Sequence, residues 1–218
     1  MKTSIIRRHA AALSILAASL VIGGCASTPA PTLITLPAVN SAAPGSTAPI
    51  AVGPLPVLAL ARVDAPEYVV SRRVRYRTDA STLAEWPDTY WAERIEISLS
   101  RELVAAMRGA LPGWSVCDAN CGELAPAMTL RIVIDRMDYF RGEKMLRAKV
   151  RMITATAERP PSALKDLDRS YEISANGDSA QAQAKSYSDL LARVAADATA
   201  LVGPPVPARP APAVMPAR

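Results

Sequence analysis

From Met128 to Phe140 the chain alternates. Met128, Leu130, Ile132 and Ile134 fall on one side, and Thr129, Arg131, Val133 and Asp135 on the other. Lys144 to Thr156 does the same, with Leu146, Ala148, Val150 and Met152 set against Arg147, Lys149 and Arg151. A period of two marks half-buried strands. The intervening Arg141-Gly142-Glu143 predicts a β-hairpin with one apolar face and one polar, basic face. Elsewhere the period lengthens. Trp91, Ile95, Leu99, Leu103 and Met107 share one helical face, which predicts a helix capped by Asp88, running to about Ala110 and ended by Gly109 and Pro112-Gly113. Tyr187, Leu190, Leu191, Val194, Ala198 and Leu201 form a second stripe on a helix from about Ser179 to Leu201, stopped by Gly203-Pro204.

Shorter strands are predicted at Val57–Val63, Tyr68–Tyr76, Trp114–Cys117 and Arg169–Ser174, the second carrying Arg72, Arg73 and Arg75. Together these elements predict an α+β domain over residues 55–202, a mostly antiparallel sheet with two main helices packed on one face. Residues 25–54 are rich in Pro, Ala, Ser and Thr and read as a linker, with Thr32-Leu33-Ile34-Thr35-Leu36 as a β-prone island within it. Such a linker reaches roughly 30 Å as a coil and about 80 Å fully extended. Residues 203–218 are again Pro/Ala-rich and read as a disordered tail.

One apolar run has no polar alternate. It extends from about Ala10 to Ile22 behind Lys2, Arg7 and Arg8, and is too short for a membrane span, which needs ~20 apolar residues. A basic start, a short apolar stretch and small residues before a cut describe a signal peptide. The segment closes on Leu20-Val21-Ile22-Gly23-Gly24-Cys25, which looks like a lipobox. Residues 1–24 are then removed, and Cys25 carries acyl chains that hold the chain on a membrane. Each buried methylene contributes ~0.8 kcal/mol, so two or three chains anchor firmly where one does not. Ala26 and Ser27 follow, with no Asp at the second position, which favours the periplasmic face of the outer membrane.

Cleavage changes the composition that matters. The chain's formal net charge of +5 falls to about +2 once Lys2, Arg7 and Arg8 leave. A nucleic-acid partner has little electrostatic support at that charge. The single histidine, His9, leaves too, so no imidazole remains for catalysis or metal binding. Of the three cysteines, Cys117 and Cys121 remain beside the lipidated Cys25. They flank Asp118-Ala119-Asn120 and form either a local disulfide or two free thiols. A zinc site would need further Cys or His ligands, so no metal or cofactor is expected.

Two motifs invite an enzyme reading. Gly113-Trp114-Ser115-Val116-Cys117 approaches a nucleophile elbow, but Cys117 stands where the second Gly belongs and no His base exists. Ser162-Ala163-Leu164-Lys165 matches the Ser-x-x-Lys of penicillin-recognising enzymes, but no Lys-Thr-Gly accompanies it and Pro160-Pro161 suggests a loop. Asp135 and Asp138 share a strand with Arg131 and Arg136, which points to ion pairing. The chain reads as non-catalytic.

The stretch from Val63 to Pro112 resembles the ABC-type transport auxiliary lipoproteins, the PqiC-like family. The resemblance rests on Arg62-Val63-Asp64-Ala65-Pro66-Glu67-Tyr68-Val69, the Arg-rich strand from Val70 to Arg77, and Tyr90-Trp91-Ala92-Glu93 read as opening the first helix. Tyr90 stands where members have Arg, and Val69 where they have Leu. The resemblance implies an outer-membrane component of an envelope lipid-transport system that contributes to membrane integrity. It also implies, as partners, an ABC permease and an MCE-domain protein that forms a periplasmic conduit, and assembly into a homo-oligomeric ring. The basic face of Arg147, Lys149 and Arg151 is the candidate partner surface. A periplasmic carrier that encloses an acyl chain is the alternative, and it requires a cavity or groove in the domain.

Overall fold

The computed structural model describes residues 30–39, 54–156 and 163–205. Strand β6 (Met128–Phe140) organises the sheet. Strand β7 (Met145–Thr156) runs antiparallel along one edge of it, from Met128↔Thr156 to Phe140↔Met145. Strand β8 (Ala163–Ser174) continues antiparallel beyond β7. The other edge of β6 is shared. At its start it takes β2 (Val57–Leu60) in parallel, Leu58↔Met128 to Leu60↔Leu130, extended by an Asp64↔Val133 bridge. At its far end it takes β3 (Arg73–Arg77) through Arg77↔Phe140. Each neighbour carries more strands: β2 pairs with β5 (Ser115–Cys117), while β3 pairs with β4 (Leu83–Trp91), which pairs with β1 (Thr32–Ile34). The sheet is therefore forked.

The short helix α1 (Glu67–Val70) lies along the chain between the two prongs. Backbone amides must pair, and the Met137 N–H donates to the Tyr68 hydroxyl at 3.2 Å. A β-bulge between Ile134 and Arg136 adds a residue to β6. It keeps Met137 and Tyr139 on the buried side that Leu130, Ile132 and Ile134 occupy.

Helices α2 (Ile95–Ala110) and α3 (Ala180–Val202) supply the other half of the core. Ile95, Leu99, Leu103 and Met107 are at most 1% exposed. Leu190, Leu191, Val194 and Ala198 are equally buried and meet the apolar face of β6 and β7 in one cluster. The Ser179 side chain caps α3 by accepting from the Ala182 N–H at 3.1 Å. Gly203, at φ 70°, ends it in a conformation that favours glycine. The class is α+β, as expected.

Four local expectations differ. Tyr68–Tyr76 is not one strand: Pro66 opens helix α1, and β3 starts only at Arg73. Asp88 caps no helix. It lies in β4 at φ 44°, and Tyr90-Trp91-Ala92-Glu93 closes that strand and turns toward α2. Strand β4 was hidden because residues 86–89 bulge opposite Val74 alone, between Arg75↔Glu85 and Arg73↔Tyr90, so no alternation survives there. The Thr32–Ile34 island belongs to the sheet, with Ile34 and Leu36 buried. The strand expected at Arg169 begins earlier, at Ala163.

A polar hub ties α3 to the outer prong. Gln183 is wholly buried. Its carbonyl accepts from Trp86 Nε1 at 2.7 Å, and its amide donates to the Arg75 carbonyl at 2.7 Å and the Tyr187 hydroxyl at 2.9 Å. Burial holds the Tyr187 phenol well above its ordinary range. Arg141, in the hairpin turn, lies 4.2 Å over the Trp86 ring and pairs with Asp178 at 2.8 Å. Gln183→Leu keeps the volume but leaves the indole N–H and the Arg75 carbonyl unpaired. It should lower stability by about 2–4 kcal/mol, read as a shifted urea midpoint with unchanged slope. A loss below about 0.5 kcal/mol would show that the network contributes nothing.

Candidate functional site

The two enzyme-like motifs hold no assembled chemistry among the described residues. Ser115 lies on β5, and Cys117 is disulfide-bonded to Cys121 with Cα atoms 5.3 Å apart. Ser162 lies outside the described residues. Lys165 donates to the Leu201 carbonyl at 2.7 Å, fastening β8 to the end of α3. Asp138 is buried between Arg77 at 2.9 Å and Arg136 at 3.0 Å. No group of His, Cys, Asp and Glu among the described residues could hold a metal ion.

The outer face of the hairpin is a charge ladder and not a uniformly basic patch. Arg147 pairs with Glu143 at 2.6 Å and Glu172 at 3.1 Å, and its guanidinium lies 4.8 Å from the Phe140 ring centroid. Arg151 pairs with Asp168 at 3.3 Å and Asp135 at 3.6 Å. Lys149 is exposed and stands opposite Ser170 in register, without an acidic partner among the described residues. Cross-strand pairs of this kind contribute roughly 0.2–1 kcal/mol each. The acids on β6 and β8 were visible in the sequence, but their register opposite Arg147 and Arg151 was not.

A second feature escaped the sequence altogether. A groove of about 420 Å³ runs between the outward side of α2, the end of β2 and the loop after β5. Its α2 wall carries Ile97, Arg101, Val104 and Arg108 at helical spacing, with Val104 also packed into the core at 6% exposed. Ile97 is 40% exposed. Both flanks are tied down. The Val63 N–H donates to Ser100 Oγ at 3.0 Å, and Arg108 Nε donates to the Val116 carbonyl at 2.9 Å. The Cys117–Cys121 disulfide closes the far loop, where the Asn120 N–H donates to Asp118 Oδ1 at 3.0 Å. Gly122 follows at φ 64°. No linear signal marked it: on α2 only Ile97 stands exposed beside the Ile95/Leu99/Leu103 stripe, and Val104 belongs to the core.

A family model described as the ABC-type transport auxiliary lipoprotein component matches residues 35–198. The chain belongs to that family. The matched span begins at the residue after β1 and ends within the last turns of α3, so it takes in every strand but β1, all of α2 and most of α3. No curated protein matches the chain. Two solved structures share the fold of this transport auxiliary lipoprotein. A crystal structure of an uncharacterized protein aligns with a TM-score of 0.63 at 17% identity, covering 80% of this chain and all (100%) of that one. Protein XCC0632 from Xanthomonas campestris, of family DUF330, aligns with a TM-score of 0.55 at 18% identity, covering 80% of this chain and 91% of that one. At such identities the likeness is one of fold. No helix among the described residues is long and apolar enough to cross a membrane. The lipobox and Cys25 lie outside the described residues, upstream of the matched span.

Exported protein purified without reductant should resist alkylation at Cys117 and Cys121 and weigh two hydrogens less than its reduced form. Closing so short a loop contributes on the order of 2 kcal/mol at most in the chain-entropy picture. Two freely alkylated thiols in intact-mass spectra would remove the bridge from the groove wall.

Proposed function

We propose that this auxiliary lipoprotein is anchored by acyl chains on Cys25 to the periplasmic face of the outer membrane and acts there without catalysis. It docks an MCE-domain conduit fed by an ABC permease, assembles as a homo-oligomeric ring, and contributes to membrane integrity. The family match over residues 35–198 carries this reading. Supporting it are the lipobox ending at Cys25, the absence of Asp at the second position after the cut, and a histidine-free mature chain. Beneath α3 the packing leaves no room to enclose an acyl chain. The void bounded by Tyr68, Met137, Tyr139 and Tyr187 beneath α3 is about 10 Å³, room for a single water.

Cys25→Ala should leave an unprocessed or soluble precursor, because only that thiol can take the diacylglyceryl group. Membrane fractionation with labelled palmitate checks it, and equal labelling of the variant would refute the anchor. The ion-pair ladder narrows the test of the hairpin face. Reversing Arg147 or Arg151 places a carboxylate among acids within the domain itself, so it perturbs fold and surface together. Lys149→Glu breaks no ion pair of the ladder, although it sets a carboxylate opposite Arg136 in register. If this face meets an acidic partner, the reversal should weaken co-purification with the conduit protein by several-fold, since like charges juxtaposed at an interface repel strongly. Unchanged co-purification would mark the face as merely solvated.

A further inference from the structure

The groove beside α2 has a built wall, an apolar floor and an imbalance of charge. Three guanidiniums line it, from Arg62, Arg101 and Arg108, against the single carboxylate of Asp118. Arg101 is already neutralised: its Nη1 donates to both Glu93 oxygens at 2.7 and 2.8 Å, and its Nε donates to Glu102. Arg62 is exposed and has no acidic partner among the described residues. Arg108 spends Nε on the Val116 carbonyl and likewise has no acidic partner among them. The Asp118 carboxylate is turned to its own loop, accepting from the Asn120 N–H. Two guanidiniums are thus available at the rim of a strip formed by Ile97, Val104 and Ala105.

We infer that this groove docks a short acidic peptide segment of a partner protein, its carboxylates on Arg62 and Arg108 and one or two apolar side chains on Ile97 and Ala105 above the largely buried Val104. The inference rests on the docking reading above only in taking the occupant to be a protein. The dimensions favour a peptide over a lipid. Ile97 to Val104 is seven residues of helix, about 10 Å at 1.5 Å per residue. That accommodates one or two side chains but would leave most of an acyl chain in water. The chain's own undescribed segments offer little complementary charge: residues 157–162 hold one acid, Glu158, beside Arg159. Residues 40–53 contain no charged side chain, and the only charged side chains of residues 206–218 are Arg209 and Arg218. The walls are fixed in advance by the disulfide, by Arg108 on Val116 and by Ser100 on Val63. Little ordering is then required when a ligand enters.

The test uses the full oxidised chain in detergent micelles and a phage-displayed library of random dodecapeptides. Selection should enrich peptides that combine Asp or Glu with large apolar residues, and their binding should weaken as salt rises. Arg62→Glu and Ala105→Trp, both at exposed positions, should each weaken the enriched peptides at least tenfold, the first by repulsion and the second by filling the groove. Lys149→Glu, on the distant hairpin face, should leave them unchanged. No enrichment, enrichment of peptides without acids, or equal binding by the Arg62 and Ala105 variants would overturn the proposal. So would an Arg62-dependent rise in melting temperature with dihexanoylphosphatidylglycerol in the absence of any selected peptide, which would make the groove a lipid headgroup site. Because binding is read on purified chain, failure of the anchor or of the transport reading leaves these outcomes unaltered.

Discussion

A strand has two edges, and β7 fills one edge of β6 from end to end. Every strand outside the β6–β7–β8 ribbon must therefore reach β6 through the edge that remains. That edge is long enough for two short neighbours but not for two full strands, and the fork follows. The gap along it is closed by parts other than strands. The Asp64 backbone extends the β2 ladder, with its N–H on the Ile132 carbonyl at 3.1 Å and its carbonyl taking the Ile134 N–H at 2.8 Å. Tyr68 then serves Met137, and Asp138 binds Arg77 where β3 arrives. A buried carboxylate held by guanidiniums adds little net stability relative to an apolar pair, but breaking it is severe. Its location at the single β3–β6 junction ties the outer prong to the frame.

The parts of the fold that obey one period were legible in advance. The hairpin, the Ile95–Met107 stripe and the helix from about Ser179 with its Gly203 stop all follow from local pattern. What was illegible broke the period. Strand β4 holds Pro87, and its bulged residues 86–89 include Asp88 in a left-handed conformation, so it offers neither alternation nor helical spacing. Strand β1 was legible as a β-prone island, but its Pro-rich setting read as linker, and its pairing with Thr89–Trp91 could not be read locally. The helix expected from Asp88 failed because Trp91 fits the stripe numerically while belonging to β4. Its ring is buried for another reason, lying 5.8 Å from that of Tyr187 on α3.

The surfaces show the same division. Residue types along β7 announced a basic face, yet charge on a sheet is a property of three adjacent strands. Glu143, Asp135, Asp168 and Glu172 neutralise Arg147 and Arg151. The groove beside α2 gathers residues from three separated stretches and has no linear signature. For an auxiliary transport lipoprotein this matters, because a self-neutralised ladder confers local rigidity with only a weak field. Unpaired guanidiniums in a shaped groove confer selectivity at short range.

The fork also sets how tension would spread through the domain. A pull on the chain from the N-terminal side enters at β1 and passes to β4, then β3, then β6 through the Arg77–Phe140 contact and the Arg77–Asp138 ion pair. A grip on the groove enters through the other prong, at β2 and β5, and reaches β6 at its opposite end. The two loads meet along one strand, whose entire far edge is stitched to β7. A domain stretched between an anchor and a partner would put β6 under end-to-end tension. Its joint with β3 is narrow, so the Gln183 hub on α3 would carry much of the load that enters through the outer prong.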